Sequence, residues 1–119
     1  MKTHRDLEVW QEAIALAKTV YDLTSHYPKE EVFGLTSQMR RAAVSIASNI
    51  AEGAGRHGHR EFMQFLYMAV GSATELDTQL EISRAVGLGE GSTLDEVQGL
   101  TNRVTQMLYG LIRATKAKL

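Results

Sequence analysis

The stretch Glu61-Phe62-Met63-Gln64-Phe65-Leu66-Tyr67-Met68-Ala69-Val70-Gly71-Ser72-Ala73-Thr74-Glu75-Leu76-Asp77-Thr78-Gln79-Leu80 decides the fold class. Phe62, Leu66, Ala69, Ala73, Leu76 and Leu80 recur at intervals of four, three, four, three and four, which is one face of an α-helix. Met63, Tyr67 and Val70 make a second face beside it. Gly58 stands where an N-cap belongs, and Glu61 supplies the acidic half of a capping box. The pattern predicts a helix over about 59–86, roughly 40 Å long at about 1.5 Å rise per residue.

Three more segments have the same period. In the first, about 6–25, Leu7, Trp10, Ile14, Ala17, Tyr21 and Thr24 form one stripe, and Val9, Ala13, Leu16, Val20 and Leu23 form another. In the second, about 36–54, Met39, Ala43, Ile46 and Ile50 are the apolar positions, Thr36 is the expected cap, and small residues fill the other faces. The last, about 93–117, points Val97, Leu100, Val104, Leu108 and Leu111 inward, with a capping box expected from Thr93 and Glu96. The single proline, Pro28, and clustered glycines separate these segments, and none shows strand alternation. The expected architecture is all-α, an antiparallel up-down-up-down four-helix bundle in a single domain over residues 1–119.

Composition narrows the function. The chain has 119 residues, 44% of them apolar and 23% charged, enough to bury a core without staples. No run approaches a membrane span, and the first residues lack the apolar core of a secretory signal, so a cytoplasmic location with no membrane partner is expected. There is no cysteine, which removes disulfides, thiolate catalysis and thiolate metal sites. The net charge is −1, yet the charges are segregated. Residues 33–60 carry Arg40, Arg41, Arg56 and Arg60 against Glu52 alone, and residues 103–119 carry Arg103, Arg113, Lys116 and Lys118 with no acid. Residues 61–96 hold seven acids against Arg84. Such a chain presents a basic surface while being neutral in sum.

The second stripes exceed what one bundle needs to bury. Val9, Leu16, Met63, Tyr67 and Val70 are therefore the expected oligomer interface.

Three constellations bear on chemistry. Gly53-Ala54-Gly55-Arg56-His57-Gly58 matches the dinucleotide fingerprint in letters, but a helix precedes it where a strand is required. What remains is either a helix–helix loop or a phosphate-holding helix N-terminus flanked by Arg56 and Arg60. His57, His59 and Glu61 alternate in a loop entering a helix and read as surface residues, so no metal is expected. Arg41, Ser45, Ser48, Asn49 and Glu52 on the second helix face Ser72, Glu75 and Gln79 on the third. These predict a structural polar network, with Arg41 paired to Glu75 or Glu52, because a buried carboxylate needs a partner. The alternative is an acid–base pair in a cleft. No nucleophile with an adjacent base accompanies it. No enzyme activity, no catalytic residue, no cofactor and no small-molecule substrate is expected.

The sequence resembles the bacterial four-helix bundle family named for 23S rRNA intervening-sequence proteins. The resemblance covers about residues 6–88 and rests on Asp6-Leu7-Glu8-Val9-Trp10, on the run from Pro28 to Ala43, on Ser48-Asn49-Ile50-Ala51-Glu52-Gly53, on Glu61-Phe62 and Phe65-Leu66, and on Gly71-Ser72 with Glu75 to Leu80. It implies an up-down-up-down bundle assembling as a ring-shaped homopentamer. A more distant similarity to the accessory proteins of diversity-generating retroelements implies nucleic-acid binding, although those proteins are strongly basic and this chain has a pI near 6.4. The expectation is a non-enzymatic homo-oligomer in which Arg40, Arg56, Arg60, Arg113, Lys116 and Lys118 form a basic collar for structured RNA or a ribonucleoprotein. The rival is a scaffold that binds protein through its apolar stripes and no nucleic acid.

Overall fold

A computed structural model describes residues 2–119. Four helices follow in order: α1 (Glu8–Thr24), α2 (Leu35–Ala54), α3 (His59–Ala85) and α4 (Gly91–Lys116). There is no strand among the described residues. Each helix packs on its chain neighbours, and α1 also closes on α4, giving an elongated four-helix bundle of 45 × 20 × 20 Å. No helix among the described residues is long and apolar enough to cross a membrane.

The core follows the helical period. Leu66, Ala69, Ala73, Leu76 and Leu80 of α3 meet Met39, Ala43, Ile46 and Ile50 of α2 and Val97, Val104 and Leu108 of α4 in one buried cluster. Of the two stripes on α1, the buried one is Val9, Ala13, Leu16, Val20 and Leu23. Trp10 and Ala17 are half-buried, while Ile14 and Tyr21 face outward. Two stripes cannot both reach a core that lies on one side of the helix.

The assignment of the interface residues changes accordingly. Val9, Leu16 and Val70 are buried within the chain itself and leave no surface for a neighbour. Met63 is half-buried, and Tyr67 is 51% exposed.

Helix ends depart from the expected caps. Gly34, not Thr36, precedes the first residue of α2, and the Leu35 amide is satisfied by Glu31 Oε1 at 3.1 Å. Gly58 does occupy the N-cap of α3 with extended backbone, but no side chain completes a box there. α4 begins at Gly91, so Thr93 lies inside its first turn and its box with Glu96 does not form. A box does form earlier, where Thr3 and Asp6 cap a 3-10 turn over His4–Asp6. At the α2 C-terminus Gly53 lets α3 approach: a Cβ there would stand 2.6 Å from Phe65 Cβ.

Candidate functional site: a basic bundle end and a cationic groove

Antiparallel order brings the end of α2, the start of α3 and the end of α4 to one end of the bundle. There Lys2, Arg56, His57, His59 and Lys118 surround a cavity of about 340 Å³ floored by Leu7, Phe62 and Leu111. No carboxylate lines it. Arg60 lies in the first turn of α3, and Arg113 and Lys116 in the last turn of α4, at the same end and exposed. The Arg56 guanidinium lies over the Phe65 ring at 4.9 Å, which anchors it while leaving its charge open to a ligand. Among the described residues Arg56, Arg60, Arg113, Lys116 and Lys118 enter none of the four ion pairs.

Arg40 is not part of this group. It lies one turn into α2, at the opposite end, where its Nε donates to Thr24 Oγ1 at 2.9 Å and its guanidinium covers the Tyr21 ring at 4.5 Å. The expected collar is therefore five residues at one end and a separate arginine at the other, because α2 itself runs the length of the bundle.

The polar network is smaller than expected. Ser45 and Ser72 hydroxyls bond across α2 and α3 at 2.8 Å, and Asn49 Nδ2 donates to Ser45 Oγ and to the Ser45 carbonyl. Arg41, Ser48, Glu52 and Glu75 are exposed, and Arg41 pairs with neither acid. Arg41 and Ser48 instead turn toward α1, lining grooves with Tyr21 and with Ile14. A spacing of three and four fixes a stripe but leaves open which neighbouring helix it meets. Gln79 is 3% exposed, and neither of its amide atoms has a partner.

Polar contacts that the spacing did not reveal join other pairs. Gln98 of α4 donates to Asp77 and Glu81 of α3 and accepts from Arg84, which also pairs with Asp95 at 3.0 Å. Arg103 reaches Glu12 of α1 at 3.2 Å. These links close α4 on both its neighbours, and Asp77, Glu81 and Asp95 of the acidic segment form one seam with Arg84 and Gln98. The sequence signal for the α3–α4 contacts was the segregation of acids into residues 61–96.

The model of the 23S rRNA-intervening sequence protein family matches residues 5–110. The chain belongs to this family. The match extends through most of α4, beyond the reach of the motifs in the first three helices. A solved structure from Bacteroides thetaiotaomicron, described as a protein with unknown function from the S23 ribosomal protein family, superposes with a TM-score of 0.79 at 19% identity. The alignment covers 87% of this chain and 97% of that one, and it establishes a shared fold. No match was found among curated protein sequences. Neither the family description nor that of the structural neighbour names an enzymatic activity.

Proposed function

We propose that this member of the 23S rRNA-intervening sequence family is a non-enzymatic homo-oligomer, a ring of five copies, whose basic end holds structured RNA or a ribonucleoprotein. One observation carries the ligand class: five cations without ion-pair partners, Arg56, Arg60, Arg113, Lys116 and Lys118, gather at one bundle end. Unpaired arginines and lysines bind phosphates by releasing counterions. One chain offers few contacts, and a ring multiplies them through effective concentration.

Self-association is supported by a strip distinct from the residues expected for it. Trp10, Ile14 and Ala17 of α1 line a shallow groove with Val44, Ala47 and Ala51 of α2. Phe33, in the turn before α2, is 97% exposed. A free phenyl ring in water gains from burial against a second copy.

The test is native mass spectrometry on protein isolated at low salt without nuclease, compared with the double variant Arg56→Glu, Arg60→Glu. The expected result is an oligomer carrying nucleic-acid mass that the variant loses. An unchanged nucleic-acid load in the variant overturns the basic-end reading. The exposed Phe33 favours a second reading, a scaffold that binds protein alone. Salt separates the two: phosphate binding falls steeply with ionic strength, while apolar contact changes little.

A further inference from the structure

We infer that the cavity between α1 and the start of α2 is a binding site for a small organic phosphate. It lies near the opposite end from the basic group described above, beside the outer strip on α1 and α2, with which it shares Val44. Its volume is about 760 Å³, within the range of small-molecule pockets. Lys29, Arg40 and Arg41 line it, and no carboxylate does. None of these three cations has an ion-pair partner among the described residues. Three cations with no carboxylate in the lining give the cavity a positive field that attracts an anion.

Three further features specify the anion. Arg40 is held in place before any ligand arrives: Thr24 Oγ1 takes its Nε proton at 2.9 Å, and the guanidinium lies on Tyr21 at 4.5 Å. Its two terminal nitrogens remain available, the fork that suits phosphate oxygens. Thr36 and Ser37 of the lining lie in the first turn of α2, a 20-residue helix, whose N-terminal amides favour negative charge. Glu31 occupies only the Leu35 amide there. Tyr21, Val32 and Val44 give the same cavity an apolar wall, so the ligand carries an organic group as well as the phosphate.

The experiment is isothermal titration calorimetry of the whole protein with adenosine 5′-monophosphate, inorganic phosphate and adenosine. The expected order is adenosine 5′-monophosphate tightest, phosphate weaker, adenosine undetectable. Arg40→Gln is expected to weaken binding by about tenfold or more, the value of a charged hydrogen bond. Arg41→Gln should weaken it while leaving the thermal midpoint unchanged, because that side chain is exposed and without an ion-pair partner in the free protein. Arg113→Gln, at the other end, should leave it unchanged. The inference is overturned if the native protein gives no heat with millimolar adenosine 5′-monophosphate, as when a neighbouring copy covers the cavity. It is equally overturned if Arg113→Gln weakens binding as much as Arg40→Gln does. Loss of nucleic acid from the Arg56→Glu, Arg60→Glu variant does not bear on this site, so the two proposals fail separately.

Discussion

Tyr27 donates its phenol proton to Ser83 Oγ at 2.7 Å, joining residues 56 positions apart. Ser83 in turn reaches Met39 Sδ at 3.6 Å. The connection after α1 is thereby pinned to the last turn of α3, and all three side chains are buried. Replacing Tyr27 by Phe leaves Ser83 with sulfur as its only side-chain partner and should cost about 1 kcal/mol in denaturant unfolding. Burial pushes the Tyr27 phenol above its ordinary 10.0, and the Ser83 hydroxyl draws it partly back. The folded chain therefore holds this proton at a pH where the unfolded chain has lost it. The contribution is complete below pH 10.0 and fades as pH rises toward the elevated folded value. Native protein should lose stability above that pH more steeply than Tyr27→Phe, and parallel curves would refute the assignment.

Gln79 carries a cost rather than a bond. Both of its amide atoms are buried without partners. Gln79→Met keeps the length of the side chain and removes the unsatisfied groups. It should stabilise the fold by about 1–2 kcal/mol, read as a higher denaturation midpoint with an unchanged slope. A loss of stability would show that the amide is satisfied in solution.

Gly53 sets how closely α2 and α3 converge at the basic end. An alanine Cβ would lie 2.6 Å from Phe65 Cβ and 3.3 Å from the Phe62 carbonyl oxygen. Neither atom is the free tip of a flexible side chain, so the helices must part. Gly53→Ala should destabilise by about 1–3 kcal/mol despite alanine's better helix propensity. Thermal unfolding of the variant checks it.

The outer strip on α1 and α2 predicts an assembly defect without a folding defect. Ile14 is exposed in the single chain, so Ile14→Lys should change stability by less than about 0.5 kcal/mol. In an assembled protein the same lysine meets a neighbour's apolar surface. Sedimentation velocity should show a shift toward smaller species, and Phe33→Ser should act in the same direction. An unaltered distribution for both variants would locate the contact elsewhere.

Much of the fold is legible in the periodicity, and the exceptions have a common cause. A spacing of three and four states which residues share a helix face. It does not state which face turns inward when both are apolar, as on α1, where Val9 and Leu16 are core and Ile14 is not. The polar stripe on α2 shows the same ambiguity: Ser45 meets Ser72 on α3, while Arg41 and Ser48 turn to α1. The caps went astray for a local reason. Helices α2 and α4 begin before the expected positions, at Leu35 and Gly91, which places Thr36 and Thr93 inside the first turn, and the spacing of a capping box does not fix where the first turn starts.

The sequence by itself determined four helices, their approximate limits, their antiparallel order and the family, because helical period and glycine punctuation are properties of neighbouring residues. Only the tertiary structure decided what distant residues do together. It separated Arg40 from Arg56, Arg60, Arg113, Lys116 and Lys118, since a 20-residue helix carries its two ends to opposite poles. It joined Tyr27 to Ser83 and Arg84 to Asp95. It also brought Arg40, Arg41 and Lys29 around a buried Thr36. Charge and hydrogen bonding act across space, over a few ångströms, and no spacing along one chain encodes which helix faces will lie that close.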